Sequence, residues 1–162
     1  MTRTRTALTL MAVLAAGVAC SGRSPGFPPP ARPGISVSRD AQSVFLGINA
    51  LLEARGIPVL VADTTFGSLR TDWVEWEPGE NSFQGLARCP VTDQSPPSAT
   101  RARFGFEVRA RTVHSFVTIY TQWQMEAHPG FDDTDRGYVN CPSTGEWERR
   151  MEENILQRQV VR

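Results

Sequence analysis

The feature that most constrains the fold is the regular alternation of apolar and polar residues over positions 101–110. Successive residues of a strand point to opposite faces, so the even positions of this stretch form one apolar face. The stretch 112–125 also alternates, although less strictly. Together they predict a long antiparallel hairpin that turns near Arg111.

The face of this hairpin that lies opposite the apolar face carries arginines and aromatic residues. Its members are Arg101, Arg103, Arg109, Phe116 and Tyr120. They fit a solvated face held together by cross-strand pairs. They also fit an interaction surface, because Arg and Tyr are favoured at interfaces. From the second interpretation we expect these five residues to bind a protein partner.

Two helices are predicted on either side of the strands. Apolar residues recur at helical spacing from Ala41 to Leu52, and Gly56 stands where a left-handed C-cap belongs. A second helical pattern runs from Trp147 towards Gln159, after a capping-box sequence at 143–146. We expect both helices to pack on the same face of the sheet.

A shorter hairpin is predicted between the first helix and the long hairpin. The stretch 58–62 is apolar, 63–67 has turn chemistry, and 68–76 is rich in β-forming residues. The order of elements predicts an α+β two-layer sandwich. We expect a four-stranded antiparallel sheet with the N- and C-terminal helices packed on one face.

The N-terminus has the features of an export signal. Arg3 and Arg5 precede an apolar run from Ala7 to Val18, which is shorter than the roughly 20 residues that a helix needs to cross a bilayer. A buried N-terminal helix is the alternative, but the Pro-rich stretch that follows disfavours it. We therefore predict a signal peptide at 1–19, a Pro-rich linker at 20–36 and an α+β domain at 37–162.

The end of this signal, Gly17-Val18-Ala19-Cys20, resembles the lipobox of bacterial lipoproteins. The resemblance implies cleavage before Cys20, a lipid on its sulfur and an acyl chain on its new amine. Gly17 departs from the Leu that is usual there, so ordinary cleavage to a soluble secreted protein stays open. Ser21 in place of Asp implies the outer membrane, where the domain would face the periplasm.

The other two of the three cysteines, Cys89 and Cys141, form an even pair once Cys20 is lipidated. An exported chain folds in an oxidising compartment, where such a pair forms a disulfide. We predict a Cys89–Cys141 bridge.

Several classes of chemistry find no support in the sequence. The formal net charge is zero, which gives no electrostatic case for nucleic acid. Asp132, Asp133 and Asp135 do not fit an EF-hand loop, and neither histidine has a zinc-ligand pattern around it. The chain has no nucleophile elbow, phosphate-binding loop or dinucleotide fingerprint. We therefore expect a protein that is not an enzyme, with no cofactor and no metal.

The order of the elements, the lipobox and the stretch Asp63 to Trp73 together resemble the domains of the outer-membrane assembly lipoprotein BamC. The resemblance implies a non-enzymatic accessory of envelope assembly, held on the membrane by its lipid and bound to a protein of the cell envelope. A second hypothesis is a small-molecule-binding module that uses the groove between the helices and the sheet. A deep apolar cavity would favour that hypothesis.

Overall fold

A computed structural model describes residues 26–76, 85–89, 99–126 and 137–158. The fold is α+β, with one antiparallel sheet and two helices. In chain order the elements are β1 (Ile35–Val37), α1 (Ala41–Glu53), β2 (Val59–Asp63), β3 (Ser68–Thr71), β4 (Val74–Trp76), β5 (Thr100–Ala110), β6 (Ser115–Glu126), β7 (Tyr138–Cys141) and α2 (Glu146–Gln157).

The sheet has seven strands in the described part of the chain, so the predicted four-stranded sheet is wrong in number. Strands β1 and β7 are only three and four residues long, too short to show a periodic pattern. The single strand predicted over 68–76 is split into β3 and β4. The split follows from Thr71, whose hydroxyl accepts the N–H of Phe104 at 2.9 Å and so takes the place of a backbone acceptor.

The long hairpin of β5 and β6 forms the middle of the sheet, and the backbone of Arg111 bonds His114 in its turn. Strands β3 and then β2 extend the sheet on the β5 side, and β4 also pairs with β5. On the other side, β1 pairs with the start of β6 and β7 with its end. Residues 118–122 of β6 lie between these two short partners.

The core lies between the sheet and the two helices, which pack on the same face as expected. The even residues of β5 from Ala102 to Val108 are buried there. Phe104 stacks on Trp147 of α2 with ring centroids 3.8 Å apart, and Phe45 of α1 is also in the core. The apolar face of the hairpin is thus the core face, because both helices cover it.

The C-terminal end of α1 matches the sequence prediction, whereas its N-cap was not predicted. Asp40 is the N-cap, and its carboxylate accepts the N–H of Ser43 at 2.8 Å. Hydrogen bonds from Ser43 also lower the pKa of Asp40. At the other end Gly56 adopts φ +67°, and the N–H of Ile57 bonds the carbonyl of Leu52.

The start of α2 differs from the predicted capping box. The helix begins at Glu146, after Gly145 with φ +82°. The hydroxyl of Ser143 donates to the carboxylate of Glu148, which also accepts from Thr121 at 2.6 Å. Glu148 is completely buried, so its carboxylate needs these two donors, and Ser143 serves it in place of a helix cap.

The described part of the predicted linker packs against the domain. We call residues 26–34 the strap. It starts at the sheet face opposite the helices, where the buried ring of Phe27 lies over Gly105. It reaches α2 at Arg32, whose guanidinium pairs with buried Glu152 at 2.8 Å. The strap therefore passes around the β6 side of the sheet, and β1 follows directly after it.

Cys89 and Cys141 form the predicted disulfide, with their Cα atoms 4.5 Å apart. The prediction is confirmed. The bridge ties residues 85–89 to the end of β7, where the N–H of Arg88 also donates to the carbonyl of Pro142 at 2.8 Å.

Candidate binding face

The sheet face opposite the helices is the candidate site, and we call it the outer face. The structure places all five of the predicted partner-binding residues on it, because each shares the parity of Gly105 in the register of β5 and β6. It does not bring them into one cluster. Arg101 and Arg103 lie towards the β4 end, whereas Arg109 lies near the hairpin turn and pairs with Glu107 at 2.8 Å.

Arginine and aromatic side chains alternate across the outer face. We call this row the ladder, and its members are Phe27, Arg103, Trp73, Arg101 and Tyr138. The guanidinium carbon of Arg103 lies 5.0 Å from the ring centroid of Phe27 and 4.9 Å from that of Trp73. The corresponding distances from Arg101 are 4.3 Å to Trp73 and 3.4 Å to Tyr138. These are cation–π distances, so the rings hold both guanidinium groups in place.

Amide side chains of β6 and β7 fix the same arginines from the side. Arg103 donates through Nε to Gln122 at 2.7 Å, and Arg101 donates through Nε to Gln124 at 2.9 Å. Both glutamines in turn donate to Asn140, at 3.2 and 3.0 Å. The ladder is therefore a preorganised arrangement, since stacking and hydrogen bonds both restrict its side chains.

The electrostatics of the ladder are those of clustered positive charge. Partial burial lowers the pKa of Arg103, and the nearby charges of Arg70 and Arg101 lower it further. The guanidinium stays protonated, because arginine titrates far above neutral pH.

Phe116 and Tyr120 have structural surroundings that the sequence did not reveal. Tyr120 is only 6% exposed, and its ring centroid lies 6.2 Å from that of Phe27. A Cβ on Gly34 would lie 3.1 Å from the ring of half-buried Phe116. The strap thus covers the aromatic part of the expected surface, and Arg101 and Arg103 with Trp73 and Tyr138 form its accessible part.

Sequence reasoning missed Phe27, Trp73 and Tyr138 as members of the site. Phe27 is the one aromatic residue in a Pro-rich stretch, and Trp73 follows the break in a predicted strand. Tyr138 precedes the disulfide cysteine of β7 by a few positions. Only Trp73 carried a usable signal, because a Trp on a short strand is either buried in the core or exposed for contact with a partner.

Two clefts lined by described residues bear on small-molecule binding. The groove among α1, α2 and β1, lined by residues such as Val37, Ile48 and Ile155, encloses about 40 Å³. A wider cleft of about 500 Å³ opens between the start of α1 and the β2–β3 turn, beside exposed Phe66. The first groove is nearly filled, whereas the second lies between a helix and the sheet, lined by Phe45 of α1 and Val108 of β5, and has the volume of a ligand site.

Other expected features fall partly outside the described residues. Cys20 and the predicted signal 1–19 lie outside them, as do Asp132, Asp133 and Asp135. Within the described ranges, no helix has the length and apolar character to cross a membrane. The same residues contain no cluster of three or more His, Cys, Asp or Glu side chains suited to hold a metal.

No protein-family model matches this chain, and no curated protein matches it significantly.

Proposed function

We propose that this protein is a lipid-anchored, non-enzymatic binding module of the bacterial cell envelope, held at the outer membrane and facing the periplasm. Its outer face binds a protein partner, in the manner of an accessory of outer-membrane assembly. The observation that carries the proposal is the ladder. Arg, Trp and Tyr anchors dominate the energetics of protein interfaces, and here they are already ordered on an open sheet face.

The strap adds a geometric argument to the proposed anchor. Phe27 fixes the strap to the outer face, so the tether from a lipidated Cys20 to Gly26 has roughly six residues and spans at most about 20 Å. A tether this short keeps the outer face near the membrane that carries the lipid. The binding face would then meet membrane-bound proteins before freely diffusing ones.

Site-specific photo-crosslinking tests the binding role. A photoreactive amino acid at exposed Glu75, which pairs with Arg101 in the β4–β5 register, reports on the outer face. The same amino acid at exposed Ala50 of α1 is the matched control on the helix layer. We expect a crosslinked envelope protein from position 75 and none from position 50. Capture from position 50 alone would move the site to the helices.

Metabolic labelling tests the anchor. Native-host cells fed labelled palmitate should label the wild-type protein but not the Cys20→Ala variant, because acylation requires the cysteine sulfur and the amine exposed by cleavage. Absence of label from the wild type would make the protein a secreted soluble domain.

A further inference from the structure

The guanidinium groups of the ladder keep unused donors at their edges. Aromatic rings occupy the faces of Arg101 and Arg103, and glutamines accept from their Nε atoms. Arg103 also donates through Nη2 to the carbonyl of Gly26 at 2.7 Å. Among the described residues, no acceptor bonds Nη1 of Arg103 or either terminal nitrogen of Arg101. The remaining donors lie in the guanidinium planes, where carboxylates bind.

The arginines of this region form no ion pairs among the described residues. Arg70 lies on the same face, across from Gly105, and the described part of the chain contains no ion pair for Arg70, Arg101 or Arg103. The face does carry acids. Glu107 pairs with Arg109, and Glu75 and Glu126 lie at the β4 end, where no described ion pair joins them to the ladder.

The spacing of the two ladder arginines matches an extended chain. They are two residues apart on β5, so their Cα atoms are separated by ~7 Å along the strand. A second extended segment laid along β5 has the same repeat, and its alternate side chains point to the same face. Carboxylates at alternate positions of such a segment would meet successive arginines.

We propose that the outer face binds an extended acidic segment of its protein partner, with Asp or Glu at alternate positions pairing with Arg101 and Arg103. This inference rests on the proposed binding function and gives it a partner chemistry. The strap contributes by placing Phe27 at one end of the ladder and the carbonyl of Gly26 on Arg103.

Peptide binding tests the spacing directly. The protein used is residues 20–162 with Cys20→Ser, which contains every residue that the structure describes. The probes are a short peptide of alternating Glu and Thr, and its isomer in which pairs of Glu alternate with pairs of Thr, so that no two Glu residues are two positions apart. Each exposed ion pair contributes modestly, so we expect the alternating peptide to bind about fivefold more tightly than its isomer. Equal affinities would overturn the proposal.

Matched variants assign the effect to the ladder. Arg101→Gln with Arg103→Gln should abolish the preference for the alternating peptide. Arg55→Gln with Arg111→Gln removes the same charge at exposed positions off the ladder and should preserve the preference. Arg101→Lys with Arg103→Lys keeps the charge, and loss of the preference there would support the role of the planar guanidinium. A preference that survives the first pair of substitutions would contradict the proposal.

The outcomes separate this inference from the proposed function. Binding to phosphatidylglycerol vesicles, but not to either peptide, would assign the ladder to lipid phosphate and overturn the inference. A partner captured from position 75 through a segment without acids would also overturn it, while the binding function stood. The expected peptide preference without any captured protein would support the inference and contradict the function.

Discussion

Two glycines with similar backbone conformations make a direct test of packing at single residues. Gly67 in the β2–β3 turn has φ +62°, and a Cβ there would lie 2.1 Å from the carbonyl oxygen of Val108. Gly56 after α1 has φ +67°, but a Cβ there would meet nothing within 4 Å. Both positions strain an L-residue, and only Gly67 adds a clash with backbone.

We therefore predict that Gly67→Ala destabilises the protein far more than Gly56→Ala. The left-handed conformation costs about 1–2 kcal/mol in both variants. In Gly67→Ala the β2–β3 turn must also move away from β5. This movement weakens the hydrogen bond from the N–H of Val108 to the carbonyl of Gly67. Urea denaturation of the two variants measures the difference. Equal losses would show that Gly67 does not approach β5 this closely.

Phe27 tests the packing of the strap. Burial of a Phe side chain contributes about 1.5–3 kcal/mol, so Phe27→Ala should lower the free energy of unfolding by about 2 kcal/mol. Phe66→Ala is the matched control, because it removes the same side chain from a position that is 80% exposed. A strap that behaves as a loose linker would make the two variants equally stable.

At the scale of elements, the sequence predicted those structures whose pattern is long enough to repeat. The β5–β6 hairpin and α1 extend over many residues with one period, so their buried and exposed faces followed from the residues alone. Strands β1 and β7 escaped prediction because three or four residues show no period. The buried carboxylate of Glu148 was not predicted, because its donors, Thr121 and Ser143, come from other segments of the chain.

The candidate site was predicted only in part, because some of its contacts join distant segments of the chain. Alternation placed Arg101 and Arg103 on the face away from the core. It could not show that Trp73 and Tyr138 stack on them, since these contacts join different strands. Proline content suggested a linker for 20–36, but one ring packed over Gly105 makes residues 26–34 part of the fold. Such a contact depends on tertiary structure, and local composition does not report it.

The first turn of α2 predicts a pH dependence. Hydrogen bonds from Arg149 and Arg150 lower the pKa of Glu146 to about 2. A group with a lowered pKa in the folded state stabilises that state above its unfolded pKa and loses the effect as pH falls through the folded pKa. Glu146→Gln should therefore be less stable than wild type above about pH 4.5, with a difference that disappears near pH 2. Thermal unfolding across this range measures it, and a difference that persists at pH 2 would exclude the ion pairs as its cause.

The disulfide predicts a large effect of reduction. Cys89 and Cys141 are 52 positions apart, and closing a loop of that size stabilises by about 4 kcal/mol in the chain-entropy model. We expect Cys89→Ser with Cys141→Ser to lower the free energy of unfolding by an amount of this order. An unchanged denaturation curve would show that the bridge does not constrain the unfolded chain.

At the scale of the whole molecule, the two layers have different roles in this account. The helix layer covers the apolar face of the sheet and supplies stability. The outer face carries the ladder, and the strap connects this same face to the proposed lipid anchor. Membrane attachment and partner binding would therefore act on one side of the protein, and the domain would work close to the membrane surface.

The most direct test of that account compares quantitative capture of the proposed envelope partner by three forms of the full-length protein, solubilised from native membranes. These are the wild type, Arg101→Gln with Arg103→Gln, and Arg55→Gln with Arg111→Gln, each with its denaturation midpoint measured alongside. Truncation of a hot-spot arginine costs about 2 kcal/mol or more, so we predict that the ladder variant loses most of the captured protein while the control keeps it. Equal capture by all three folded forms would contradict the assignment of binding to the outer face.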